Sequence, residues 1–251
     1  MITRKEFLNN KPLVVAGPCS VSSRDQIIQI AKKVKRYGAH ALRAQLWKPR
    51  TEPDSFQGVG ARGIKWIKEI KEKIKIPIVM EMLDPTHVGK VEDVVDILWV
   101  GARNMQNFEL LKRIGNDPRP VILKRGLVST IREWMGAAKY VGLDKVIMCE
   151  RGIRTGADSM RFTLDFNSAL VVKHDYNLPV IIDPSHTAGR RDMVKYLTRA
   201  AIAVGADGIV VETHTNPEKE LVDKNQTIST KSFKKLVSDI NKVYKIIKSL
   251  N

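Results

Sequence analysis

Seven basic residues stand in or just beyond short apolar runs in this 251-residue chain: Arg43 within one, and Lys48, Arg50, Arg103, Lys124, Arg125 and Arg151 at or past their ends. Charge in such places is costly to bury unless something offsets it. Converging on one opening, these groups suit anions. Arginine grips a carboxylate or phosphate with paired donors, and lysine supplies a point charge. Neutralising so many takes one multiply charged ligand or two separate anionic groups. A second set, Cys19, His186, Glu212 and Asp223, also follows apolar runs. Thiolate, imidazole and carboxylates form a mixed donor set for a divalent metal. Sulfur and nitrogen favour Zn, Fe or Cu, carboxylates extend the range to Mn, and mixed sites usually keep an open catalytic position. Spacing does not single these residues out, because they are far apart and match no compact metal motif. A lone Cys after Gly-Pro also reads as a packed core thiol, a His after Pro-Ser as a loop hydrogen-bonder, and His214 competes as a ligand. Lys48 and Lys124 raise another chemistry, a Schiff base, for which the neighbouring Arg125 would depress the Lys124 amine. Cys149 lies inside an apolar stretch and reads as a buried hydrophobe.

The elements that carry these residues alternate. Eight strand-like runs are expected at Leu13–Gly17, Ala41–Leu46, Ile76–Met82, Ile97–Gly101, Val121–Lys124, Val146–Cys149, Val180–Ile182 and Gly208–Glu212. They are continuously apolar, as parallel strands covered on both faces are. Helical spacing fills the gaps at Arg24–Tyr37, with Ser22 or Ser23 as N-cap, and at Gly60–Lys73, Pro85–Glu92, Asn107–Ile114, Thr130–Val141, Arg161–His174, Arg190–Val204 and Lys231–Leu250. Eight β-then-α units predict a single-domain (β/α)8 TIM barrel over residues 12–251, with residues 1–11 as a short lead-in. An open doubly wound sheet is disfavoured, since no GxGxxG follows the first run. Barrel active sites form at the C-terminal ends of the strands, where both residue sets fall.

Composition narrows the class. Lys and Arg number 43 against 27 Asp and Glu, a formal charge of +16. That balance fits anionic substrates or nucleic acid. The last helix, with six Lys and one Asp, reads as amphipathic with a solvated basic face, and no zinc-finger, RNA-binding or zipper pattern accompanies it. The expectation is therefore no nucleic acid and, without an apolar run of membrane-spanning length, no membrane. Two distant cysteines and no signal-peptide pattern make the cytoplasm the expected location.

Seven motifs in order then carry a resemblance: AGPCS at 16–20, KPRT with SFQG at 48–51 and 55–58, GARNMQNFELL at 101–111, LKRG at 123–126, CERGIRT at 149–155, DPSHTAGRR at 183–191 and GADGIVVETH at 205–214. Over about residues 12–230 the chain resembles the short microbial 3-deoxy-D-arabino-heptulosonate 7-phosphate synthases. These are related to the 3-deoxy-D-manno-octulosonate 8-phosphate synthases. The resemblance implies condensation of phosphoenolpyruvate with erythrose 4-phosphate and water, releasing phosphate, as the first step of the shikimate pathway. The sister activity, with arabinose 5-phosphate as acceptor, is the alternative. KPRT and DPSH, in place of KANRS-like and DVTH-like segments, favour the first.

By position, the resemblance assigns Cys19, His186, Glu212 and Asp223 to one divalent metal ion (Mn, Zn, Fe or Co). It assigns Arg43, Lys48, Ala102, Arg103, Lys124 and Arg151 to phosphoenolpyruvate, and Arg50 and Thr51 to erythrose 4-phosphate. The metal is then a Lewis acid for the aldehyde, with Lys48 or His186 as candidates for proton transfer. Three segments depart from the family pattern. Ala44–Trp47 is bulkier, so Trp47 is expected to narrow the mouth or meet a neighbouring subunit. Glu52 and Asp54 are expected to face solvent. The residues around Asp223 differ, making it the least secure ligand. The resemblance further implies a homodimer or homotetramer. The early first strand implies no regulatory domain and hence insensitivity to Phe, Tyr and Trp, which inhibition assays with each amino acid check.

Overall fold

The alternation of buried runs and amphipathic segments closes on itself. The structure, a computed structural model, describes residues 2–9 and 11–250. Strands β1 (Leu13–Gly17), β2 (Ala41–Arg43), β3 (Ile78–Glu81), β4 (Ile97–Val100), β5 (Val121–Lys124), β6 (Val146–Glu150), β7 (Val180–Ile182) and β8 (Gly208–His214) pair in sequence order, all parallel. β8 returns to β1, from Leu13 opposite Gly208 to Gly17 opposite Glu212, so the sheet has no free edge. A two-residue strand, β9 (Ile228–Ser229), extends the end of β8.

Helices α1 (Arg4–Leu8), α2 (Arg24–Arg36), α3 (Ile64–Lys73), α4 (Pro85–Lys90), α5 (Phe108–Gly115), α6 (Ile131–Val141), α7 (Phe166–Asp175), α8 (Pro184–Ala188), α9 (Arg191–Ala203) and α10 (Thr230–Leu250) complete the chain. α2 illustrates why they form. Ser23 caps it by accepting from Gln26 N, and Lys33, Lys35 and Arg36 sit in the last turn, where the helix dipole favours cations. Its buried stripe of Ile27, Ile30, Ala31 and Val34 joins the layer between helices and sheet. In α10 the buried face is Phe233, Leu236 and Ile240, while its lysines are exposed. Among the described residues no helix is long and apolar enough to cross a membrane.

Several expected boundaries move. The second strand ends at Arg43, because past it the chain turns and Gln45 O accepts from Val21 N. The helix expected from Arg161 starts at Phe166, capped by Asp165, whose side chain accepts from Ser168 N. Residues 152–165 instead form a loop closed by an Ile153–Thr163 bridge. The lead-in carries α1, held by a Thr3–Glu6 capping box.

The barrel interior is a separate cluster from the helix–sheet layer. Leu13, Val15, Ala41, Val79, Ile97, Trp99, Ile122, Ile147, Cys149, Ile181 and Val210 fill it, and Phe7 of α1 joins them. Arg4 fixes α1 by donating to Leu143 O at 2.6 Å and Val146 O at 3.1 Å, at the N-terminal end of β6. Phe7 thus plugs the end of the barrel opposite the strand C-termini. Phe7→Ala is expected to cost about 3–5 kcal/mol in urea unfolding. A loss under about 1 kcal/mol would contradict the plug.

Candidate active site

Strand geometry sorts the polar residues. Successive side chains of a strand point to opposite faces, so every second residue enters the barrel. Two residues beyond the interior Ala41, Val79, Ile122, Cys149, Ile181 and Val210 stand Arg43, Glu81, Lys124, Arg151, Asp183 and Glu212, all buried. They form the polar layer above the apolar filling. The indole of Trp99 is the floor between them, with the Lys124 ammonium 4.5 Å and the Arg43 guanidinium 5.2 Å from its ring centre. Gly101 makes room in this layer, since a Cβ there would lie 1.9 Å from Glu81 Oε1.

Above the layer opens a cavity of about 460 Å³. Arg43, Lys48, Arg50, Arg103, Lys124 and Arg151 line it, as do Ala102 and Thr51. Arg125 does not. It follows Lys124 and so points the other way, into the helix–sheet layer, where its Nη1 donates to Glu150 Oε2 at 3.0 Å and Asp165 Oδ2 at 2.8 Å. Two cations absent from the sequence expectation, Arg154 and Arg161, line the cavity from the 152–165 loop. Nothing in the periodicity marks a loop arginine, although the GIRT segment contains Arg154. Trp47 does not line the cavity; its ring stacks on His87 with centroids 4.1 Å apart. Glu52 and Asp54 are both exposed, and Glu52 reaches the cavity rim.

Arg125 and Arg151 have opposite environments. Arg151 is 4% exposed and backed by the Phe162 ring at 4.0 Å, yet its Nε and Nη1 find no hydrogen-bond partner among the described residues. Burial pulls its guanidinium down to about 10. Arg125 instead pairs with two carboxylates through Nη1 and donates from Nε to Ser129 O at 3.0 Å. Arg125→Ala would strand the buried Glu150 carboxylate, so it is expected to cost about 3–5 kcal/mol in urea unfolding. The affinity of the cavity for inorganic phosphate should stay unchanged, as isothermal titration would read.

Cys19, His186, Glu212 and Asp223 come together at one side of the layer, each offering a ligand atom within 4.8 Å of the others. Cys19 Sγ lies 3.6 Å from Asp223 Oδ2, and His186 Nε2 lies 3.4 Å from Glu212 Oε1 and 3.8 Å from Asp223 Oδ2. Asp223 takes a left-handed backbone, φ 56°. Its Oδ1 accepts from Arg161 Nη1 at 3.2 Å, leaving Oδ2 toward the cluster. Gln226, which the sequence reading did not single out, accepts from the same Arg161 Nη1 and donates to Glu212 Oε2 at 2.6 Å. His214 stays outside the cluster, its Nδ1 accepting from Asn216 N.

The electrostatics suit a cation. Burial first, then the Glu212 charge, push the Cys19 thiol well up. Burial lowers His186, keeping the imidazole neutral and able to ligate. Burial would raise Asp223, but His186, acting only where its imidazole is protonated, and the charges of Arg161 and Lys48 carry it down to about 2. Glu212 Oε1 is buried without a hydrogen-bond donor, since Arg43 Nη2 approaches to 3.0 Å without hydrogen-bond alignment. A buried carboxylate oxygen that has no hydrogen-bond donor among the described residues and faces thiol, imidazole and a second carboxylate suits a divalent metal, so the residues fit such an ion. The Schiff-base alternative fares worse. Lys124 Nζ donates directly to Asp183 Oδ2, so the nitrogen an imine would use is engaged by a buried carboxylate. Cys149 is fully buried in the barrel interior.

Residues 8–249 match the profile of the DAHP synthetase I family. The chain is 44% identical over 233 residues to the phospho-2-dehydro-3-deoxyheptonate aldolase of Thermotoga maritima, covering 92% of this chain and 69% of that protein. The crystal structure of that aldolase (DAHP synthase) superposes with TM-score 0.89 at 43% identity, covering 94% of this chain and 70% of that one. A 2-dehydro-3-deoxyphosphooctonate aldolase of Desulfotalea psychrophila is 29% identical over 254 residues, covering 92% of this chain and 89% of that protein.

Proposed function

The chain belongs to the DAHP synthetase I family and is an enzyme, and on that premise we propose that it condenses phosphoenolpyruvate with erythrose 4-phosphate and water to 3-deoxy-D-arabino-heptulosonate 7-phosphate and phosphate, opening the shikimate pathway. The observation that carries this reading is the cavity itself. Basic side chains from several strands converge on it beside a four-residue metal-ligand set. Phosphoenolpyruvate brings a carboxylate and a phosphate, and the sugar brings a second phosphate, so the cations have a partner for each charge.

The chemistry follows from what these residues can do. Arg43, Lys48, Ala102, Arg103, Lys124 and Arg151 bind phosphoenolpyruvate, and Arg50 and Thr51 hold the phosphate of the sugar. Holding both substrates makes the bond between C3 of phosphoenolpyruvate and the aldehyde carbon an intramolecular event. Positive charge then develops at C2, where water adds, and C–O cleavage releases phosphate. Arg151 and Lys124, buried and fixed, stabilise the departing phosphate more strongly than they would in water. Lys48 is also buried and lines the cavity near Glu81, whose charge acts on it. It is therefore placed to move a proton at the reacting carbonyl, with His186 as the rival. Cys19, His186, Glu212 and Asp223 would hold one divalent ion, Mn, Zn, Fe or Co, which when bound supplies Lewis-acid polarisation of the aldehyde oxygen.

The acceptor tests the reading. Phosphate release from phosphoenolpyruvate is expected with erythrose 4-phosphate and at least about 100-fold slower with arabinose 5-phosphate, because a site built around one polar acceptor penalises a mismatched one heavily. Faster release with arabinose 5-phosphate would move the chain to the sister activity.

A further inference from the structure

Asp183 is a buried carboxylate of the polar layer that touches both Lys124 of the cation set and His186 of the metal-ligand set. It follows β7, is wholly buried, and stands two residues past the interior Ile181. Its Oδ1 accepts from His186 N at 2.9 Å, capping α8. Its Oδ2 lies 2.8 Å from His186 Nδ1 and also accepts from Lys124 Nζ. Lys124 Nζ is itself 3.4 Å from His186 Nδ1. One ring nitrogen cannot both donate to the carboxylate and accept from the ammonium. The shorter, charge-assisted contact decides in favour of Nδ1–H donating to Asp183. That leaves the lone pair on Nε2, the nitrogen facing Glu212 Oε1 and Asp223 Oδ2.

We infer that Asp183 is a positioning residue: its carboxylate sets the His186 imidazole as the Nδ1–H tautomer, presenting Nε2 to the Cys19, Glu212 and Asp223 cluster, and holds the Lys124 ammonium at the same oxygen. The inference rests on the metal-site reading given above and deepens it. A carboxylate behind a ligating histidine fixes the ring and raises its basicity. Asparagine in its place cannot do both jobs. If its oxygen keeps the His186 N–H, its amide NH2 faces Nδ1 and Lys124. The ring must then accept at Nδ1, and the proton moves to Nε2, blocking the ligand position. If the amide flips, His186 N loses its cap.

The test uses the full chain. In the metal-free wild-type protein at pH 8, long-range proton–nitrogen correlation of labelled histidine, with the signal assigned by its loss in His186→Gln, should show Nδ1 protonated and Nε2 free. Cobalt titration, followed by the thiolate-to-cobalt absorption band, should give Asp183→Asn an affinity about 10–100-fold below wild type. An Nε2–H tautomer in the wild type overturns the inference, as does cobalt affinity of Asp183→Asn within about threefold of wild type. Should that variant not fold, the wild-type tautomer decides alone. Absence of cobalt binding by the wild-type protein would instead sink the metal reading, and the tautomer would still decide the role of Asp183.

Discussion

Cys19→Ala is expected to lower turnover by about 10³-fold or more while leaving a folded protein. Cys19 follows β1 and is wholly buried, with Asp223 Oδ2 3.6 Å from its sulfur. Removing the sulfur leaves a small void, worth about 1 kcal/mol at a site of this size. The larger loss is chemical. The cluster would keep only an imidazole and two carboxylates, and Lewis-acid stabilisation is worth several kcal/mol, each 1.4 kcal/mol being about tenfold in rate. Steady-state phosphate release, with bound metal measured by elemental analysis on the same sample, checks it. A Cys19→Ala protein that retained a tenth of wild-type turnover would return the residue to the packed-thiol reading.

Arg151→Met should separate binding from stability. Most buried arginines support the fold, as Arg125 does between Glu150 and Asp165. Arg151 is buried with its Nε and Nη1 unpartnered among the described residues, so its desolvation is only partly offset, by the Phe162 ring and the charges of Asp183 and Glu150. A methionine of similar volume is therefore expected to leave stability unchanged or raise it by about 1 kcal/mol. The same change removes a desolvated partner for the substrate phosphate, worth about 2–5 kcal/mol, so kcat/KM should fall by about 10²–10³-fold. Urea unfolding and steady-state kinetics on one preparation read both. Loss of stability with kcat/KM intact would make Arg151 a structural residue.

The sequence and the structure agree most closely where burial on both faces writes a continuous apolar run. β1, β5 and β7 have the bounds their runs predict, because parallel strands under helices leave no polar interruption to misread. α8 was invisible for the opposite reason. Five residues span little more than one turn and show no periodicity, although Asp183-Pro184 is an N-cap followed by proline at N1. The site was legible as residue types at strand ends. Strand ends alone could not separate neighbours. Lys124 and Arg125 are adjacent, yet only Lys124 shares the inward parity of Ile122, and the same alternation puts Arg151 inside and Glu150 outside. Counting in steps of two from the apolar interior would have excluded Arg125 and raised Asp183 and Glu81. Arg161 lay beyond that rule, since it sits in the 152–165 loop and reaches the cluster only through Asp223 and Gln226.

The most direct measurement is phosphate release from phosphoenolpyruvate and erythrose 4-phosphate by the chelator-treated protein, repeated after Mn²⁺ or Zn²⁺ is restored. The expected result is turnover at background level without metal, at least about 10³-fold below the restored enzyme. Undiminished turnover in the presence of chelator, with no metal bound, would contradict the role given to Cys19, His186, Glu212 and Asp223. Absence of turnover in both states would contradict the proposed condensation itself.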